Sequence, residues 1–398
     1  MKHCILSSVL YFAVLAGIAA CGGGGGSDDA SSAIPAGLSA TGSLGTIRLN
    51  WSAPAGVSVT GYNIYRSTDG TTFSKLNSVP VAGTVYDDTI SSPSGDGVLY
   101  SYRVTSVASA ESGYSNTVAT VHGTRLSGDY PAGFTTLAAA SPYVIEDGMT
   151  VDGGGLTVAT NTKLYVMNNG LIDIVQNQSL TVNGLLRVLA ATGSPAIFTS
   201  HGTGGSPLTV NQGFRLNIVN AVDYSTSGDN GTLLRNARIM NLQAGSGSLY
   251  ISGCSPRLSN LHISANPNAT SFAGLEIHSG AMIEHCGISG LCPMIFGDQK
   301  TTGFRMRYNT VTPGMYNYVL DFENATVLPV NYGQIEFNSF DSQNQLDLSF
   351  MTGGWTIPLG NNHWRNGLPT IRLQNGSNQN VSFNLPLIAP PSDVGPSW

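Results

Sequence analysis

The chain has 398 residues, enough for two domains; 10% are charged, 49 are glycine, and the formal net charge is −6. That acidic balance speaks against a nucleic-acid partner, which needs a basic patch, and against docking on an anionic membrane surface. Few charges, many Gly, Ser, Thr and Asn, and little helical periodicity point to an all-β protein of extracellular type.

The first residues stand apart from any fold. Lys2 gives a positive start, and Ile5 to Gly17 is an apolar run too short and wrongly flanked for a membrane span. The run ends in Ile18-Ala19-Ala20-Cys21. This order resembles a bacterial lipobox, which implies that residues 1–20 are a signal peptide and that diacylglycerol is carried on the Cys21 thiol. An ordinary secretory signal ending near a Cys is the other reading. Position 22 is Gly and not Asp, so the resemblance implies the outer membrane, with the cell surface open to the protein. Lipid contributes about 0.8 kcal/mol per buried methylene, which makes Cys21 the membrane contact. Residues 21–33 form a Gly-rich tether, with Asp28 and Asp29, that cannot bury apolar surface. Fully stretched, it reaches roughly 40 Å.

Residues 34–122 read as short alternating strands split by turns. Thr46-Ile-Arg-Leu-Asn-Trp51, Gly61-Tyr-Asn-Ile-Tyr-Arg66 and Leu99-Tyr-Ser-Tyr-Arg-Val104 alternate, and Ser67-Thr-Asp-Gly70 is a hairpin turn. Such spacing predicts a β-sandwich. The residues resemble a fibronectin type III domain. Trp51 sits where that family's core Trp belongs, and Tyr102-Arg-Val104 resembles its tyrosine corner, whose hydroxyl bonds back to the chain. The resemblance implies a spacer or a contact surface, with Trp51, Tyr65 and Tyr102 in the core.

Residues 123–140 read as a connector, because Gly123, Gly128, Pro131 and Gly133 interrupt any element. Residues 141–387 then repeat. Arg-Asn-Ala-Arg-Ile at 235–239 returns as Leu-Ser-Asn-Leu-His-Ile, Ile-Glu-His-Cys-Gly-Ile, Arg-Tyr-Asn-Thr-Val and Glu-Phe-Asn-Ser-Phe. The closing apolar residues are Ile239, Ile263, Ile288, Val311 and Phe340, at intervals of 24, 25, 23 and 29. A period in the twenties with strand-like alternation is a solenoid signature. A second strand series runs out of phase: Ser248–Ile251, Gly274–His278, Met294–Phe296, Tyr318–Glu323 and Leu346–Phe350. Two strands per coil, turns rich in Gly and Asn, and no regular Leu offsets favour a parallel β-helix over a leucine-rich repeat. The phrases at 255–263 and 335–340 resemble right-handed parallel β-helix repeats of the pectate-lyase-like type. That fold hosts lyases, hydrolases, adhesins and binding proteins, so the resemblance implies architecture more than activity. Residues 388–398 are a Pro-rich tail that ends regular structure.

Cys254, Cys286 and Cys292 remain in the repeats. A local bridge between Cys286 and Cys292 and buried free thiols are both compatible with their spacing. No zinc or haem spacing of cysteines occurs, so the sequence calls for no metal centre.

In the second series, alternation points Leu275, Ile277, Leu320 and Phe322 inward. An outer column would then hold Glu276, His278, Asp298, Asp321, Glu323 and Asp347. Glu276, Asp321, Glu323 and Asp347 are the candidates for glycosidic-bond chemistry, as lyase or hydrolase, or for Ca²⁺. His278, Asp298, Tyr316 and Tyr318 are candidates for sugar binding. The simpler reading is a solvated strand face. Arg238, Glu284, Arg305, Arg307 and Glu336, in the first series, read as a cross-coil charge ladder. With anchor and spacer signals and no catalytic motif, the sequence favours a lipid-anchored binding or structural protein for a polysaccharide or other surface polymer. No cofactor is called for.

Overall fold

The structure is a computed structural model. It describes residues 33–43, 45–91, 97–130, 136–137, 142–227, 229–271, 273–296, 304–312, 314, 319–323, 334–341, 345–349, 356–374, 377, 380–383, 386–387 and 389–398. The chain is all-β: an N-terminal sandwich is followed by a parallel β-helix.

The sandwich packs a three-stranded against a four-stranded antiparallel sheet. Its core is Ile47, Leu49, Trp51, Tyr62, Ile64, Tyr102 and Val104, all buried, with Trp51 and Tyr62 edge-on at 5.3 Å. Two expectations are corrected. The Tyr102 hydroxyl donates to the Asp88 carboxylate at 2.7 Å and not to the backbone, because Arg66 holds that carboxylate beside it at 2.9 Å. Tyr65 lies outside the core: its side chain alternates outward and its hydroxyl donates to Glu111 at 2.7 Å.

The β-helix has a ten-stranded and a seventeen-stranded sheet, with parallel pairing along both. Its first coil starts earlier than expected. Thr124–Arg125 pairs with Tyr143–Ile145, Gly128–Tyr130 with Gly148–Val151, and Thr136–Leu137 with Leu156–Val158. Gly123 and Gly128 therefore border strands of a coil, while Pro131 and Gly133 lie outside the described residues.

The repeated phrase is a register. Ile239, Ile263, Ile288, Val311, Phe340 and Trp364 pair in turn down the seventeen-stranded sheet. All are buried. Burying one such side chain contributes about 1.5–3 kcal/mol, and the helix repeats the gain at each coil. Trp364 stacks on Phe340 at 4.5 Å inside the core.

Each phrase also turns a corner. Asn236, Asn260, His285, Tyr308, Phe337 and Asn361 sit at that corner with φ between 54° and 60°. Asn tolerates this left-handed conformation; His, Tyr and Phe are strained there. Stacking compensates, with His285 on Tyr308 at 5.0 Å and Tyr308 on Phe337 at 5.3 Å. One residue on, the side chains point inward. Asn309, Asn338 and Asn362 form a buried ladder, in which Asn309 Nδ2 donates to Asn338 Oδ1 at 2.9 Å and Asn338 Nδ2 to Asn362 Oδ1 at 3.1 Å. Cys286 continues that column, its amide donating to Asn309 Oδ1 at 2.8 Å. Cys254, Cys286 and Cys292 are buried thiols outside any disulfide, so the local bridge between Cys286 and Cys292 does not form.

The sandwich sits against the side of the first coils. Val121 packs with Val144, Tyr165 and Met167 in one buried cluster, and Leu99, Leu185 and Leu189 border it. Thr120 donates to Glu146, and Gly45 N donates to His122 Nε2 at 2.6 Å.

The Pro-rich tail adds no strand among its described residues, yet it does not leave the fold. It doubles back across the corners: Gly395 N donates to Tyr308 O at 2.8 Å and Ser397 N to Asn260 Oδ1 at 2.6 Å. The Trp398 ring lies 4.6 Å from His262, with the Arg238 guanidinium 5.1 Å from its centre.

Candidate functional site

The outer face of the ten-stranded sheet collects the acids. Tyr250 pairs with Glu276, Glu276 with Met294, Met294 with Asp321, Asp321 with Asp347, and Asp347 with Arg372. Residues directly opposite on neighbouring strands share a face, so these side chains form one column. Leu275, Ile277, Leu320 and Phe322 point inward and are buried. A second column runs two residues along. Ser252 pairs with His278, and Phe296 with Glu323, whose side chain lies outside the described residues. The single acidic column expected from sequence is therefore two, with apolar Met294 and Phe296 set among the polar groups. Asp298, Tyr316 and Tyr318 lie outside the described residues.

The acids in the first column differ in state. Asp347 is wholly buried. It accepts from Gln345 Nε2 at 2.9 Å, Arg372 Nε at 2.8 Å and Gln374 Nε2 at 2.7 Å, and Arg372 adds a second guanidinium bond. A carboxylate with four donors is structural, which corrects its place among the catalytic candidates. Asp321 is buried at 3% exposure. Burial in the same sheet, with Asp321 and Asp347 nearby, pushes the Cys292 thiol well above its ordinary range, which makes it inert.

Glu276 is the opposite case. Its side chain is only 12% exposed, and it accepts no hydrogen bond from the described residues. Its one titratable neighbour among the described residues is His278, with Nε2 3.7 Å from Oε2, within ion-pair range if the ring is protonated but beyond a hydrogen bond. His278 Nε2 is itself enclosed and without a hydrogen-bond partner among the described residues. The imidazole lies between two rings, stacked on Phe296 at 3.9 Å and tilted to Tyr250 at 5.0 Å. An acceptor with no donor among the described residues, on a side chain 12% exposed and framed by rings, can take a donor from outside. Among the described residues no three acid, His or Cys side chains group to hold a metal ion.

Tyr250 and Phe296 were visible as members of the second strand series. Nothing in sequence marked them as neighbours of Glu276, because coil register decides that. Arg372 alternates within Thr370–Gln374, the strand that closes the sheet.

The charge ladder on the seventeen-stranded sheet is redrawn. Ser259, Glu284, Arg307 and Glu336 are in register, Arg257 reaches Glu284 at 3.1 Å, and Arg307 pairs with Glu336. Arg305 lies in the neighbouring column beside Met282 and Gln334. Arg238 belongs to another column and faces Trp398.

No family model and no curated protein matches the chain. Several solved structures are similar to it, three of which follow. An Fn3-like protein from Clostridium thermocellum is 30% identical over 22% of this chain and 92% of that one, with a TM-score of 0.19. A β-1,2-glucanase from Parabacteroides distasonis is 25% identical over 23% of this chain, with a TM-score of 0.20, and the chain spans 12% of its length. A pectate lyase from Erwinia chrysanthemi, in complex with tetragalacturonic acid, is 12% identical over 87% of this chain and 96% of that one, with a TM-score of 0.19. Scores this low carry no argument about chemistry.

Proposed function

We propose that the chain is a cell-surface lipoprotein held in the outer membrane by lipid on Cys21, whose β-helix is a rigid module that binds a polysaccharide or a similar surface polymer. The observation that supports it is Glu276, a mostly buried side chain whose carboxylate accepts no hydrogen bond from the described residues, beside the Tyr250, His278 and Phe296 rings. Sugars offer both partners such a place requires: hydroxyl donors for the carboxylate and apolar ring faces for the aromatics. A glycan array on the purified full chain, with a reducing-sugar and unsaturated-product assay on the same sample, tests it. Binding without product is expected. For the anchor, metabolic labelling with a radioactive fatty acid is expected to mark the wild type and not Cys21→Ser; equal labelling would refute the lipidation.

A second reading, a polysaccharide lyase or hydrolase, draws on the register of Glu276, Asp321 and Asp347. It requires product release that Asp321→Asn abolishes. Against it, Asp347 has its lone pairs committed to Arg372, Gln345 and Gln374.

A further inference from the structure

Polymer binding leaves open the charge of the polymer, and the face itself bears on that. Its four central strands, Gly245–Ser252, Ala273–His278, Cys292–Phe296 and Leu320–Glu323, contain the acids Glu276, Asp321 and Glu323 and neither Lys nor Arg. Among the described residues, bases adjoin the face beyond them, Arg215 on one side and Arg372 on the other, and Arg372 is committed to Asp347. A uronic-acid polymer would bring carboxylates against carboxylates with no guanidinium or ammonium among these strands to receive them. A neutral polymer would satisfy Glu276 with hydroxyl donors and leave its charge uncompensated. A polymer bearing ammonium groups does both. Its N–H donors bond the Glu276 carboxylate, which accepts none from the described residues, and its charge lies beside that carboxylate. The same cation is attracted to the Tyr250 and Phe296 ring faces.

From this we infer that the face binds an amino-sugar polymer, with an ammonium group on Glu276 and sugar rings against Tyr250 and Phe296. The inference rests on the polysaccharide-binding reading and narrows it. Glu276 is the specificity-determining residue, and Asp321, buried behind it in the column, adds to the field without touching the ligand.

The test compares three oligosaccharides of equal length by calorimetric titration of the full chain at weakly acidic pH: glucosamine, its N-acetylated counterpart, and galacturonate. The first two share a backbone and differ in charge. The glucosamine oligomer is expected to bind tightest, and to weaken as salt is raised while the N-acetylated one does not. Glu276→Gln is expected to lose about tenfold for glucosamine and to leave the N-acetylated oligomer nearly unchanged. The melting temperature of this near-isosteric variant checks that it is folded. Equal or tighter binding of galacturonate or of the N-acetylated oligomer overturns the inference, as does an equal loss for both in Glu276→Gln. Binding of other glycans on the array, with all three oligomers inert, sinks the inference and leaves polysaccharide binding standing. An array with no ligand removes both.

Discussion

Asp347 and Glu276 stand three coils apart in one column, yet their substitutions should behave in opposite ways. Asp347→Ala strips a buried carboxylate from Arg372, Gln345 and Gln374. Arg372 is half exposed, at 48%, and can re-solvate, so the expected loss is about 1–3 kcal/mol by urea unfolding, below the cost of a fully buried pair. Glu276→Gln should stay within about 0.5 kcal/mol, because no donor among the described residues is lost. His201 offers a pH test. Its Nε2 lies 2.8 Å from Asp152 and its Nδ1 3.0 Å from Asp173, and both ring nitrogens can donate only in the charged form. Burial lowers its pKa, but the bonds and charges of the two carboxylates outweigh that and raise it above the ordinary value. A raised histidine pKa stabilises the fold fully below the unfolded value, about 6.5, and the contribution disappears as pH climbs through the folded value. The urea midpoint should therefore fall from weakly acidic to weakly alkaline pH, and His201→Gln should flatten that slope.

At the scale of strands and corners, the Asn ladder is the feature most exposed to single changes. Asn338 bonds Asn362, Met306 O and the Asn309 amide from a fully buried position. Asn338→Leu would match its bulk approximately and leave these partners without a bond, at about 1–3 kcal/mol per orphaned group. Calorimetry should show a clear drop in melting temperature, and an unchanged one would mean the ladder is dispensable. Much of this scale was legible in advance. The marker residues Ile239 to Phe340 pair as their spacing implied, because inward side chains at a fixed period leave only one register that buries them all. What was illegible lies across coils. The sequence separates Tyr250 from His278 by a whole coil, and coils vary in length, so their contact depends on register rather than on local pattern. Corner strain was hidden for the same reason, since Tyr308 and Phe337 carry no local mark of a left-handed turn. The connector at 123–140 was misplaced because glycines that break a helix are at home in coil corners.

For the whole molecule, the joint between sandwich and β-helix matters most. Tyr165 is buried at 5% exposure within the cluster that links Val121 to Val144 and Met167, and its hydroxyl lies close under Gly97. Two modules that share such a cluster should unfold as one. Tyr165→Ala is expected to split the calorimetric transition in two and to open the 122–124 segment to protease; a single transition in the variant would show that the cluster does not couple them. Neither module announced this joint in sequence, because Tyr165 alternates with the inward Leu164 and Val166 and its partner across the joint is fixed only by the fold.

The tail gives the rod an unusual mechanics. A stack of parallel strands peels one at a time when pulled from its last coil, each step breaking a single row of bonds. Here a pull on Trp398 enters at Asn260 and His262, several coils inside the stack, and runs along the segment from Ser392 to Trp398 that lies across the corners. The load therefore shears bonds to several coils together before any strand can lift. The segment acts as a seizing, the binding that keeps a rope from unlaying.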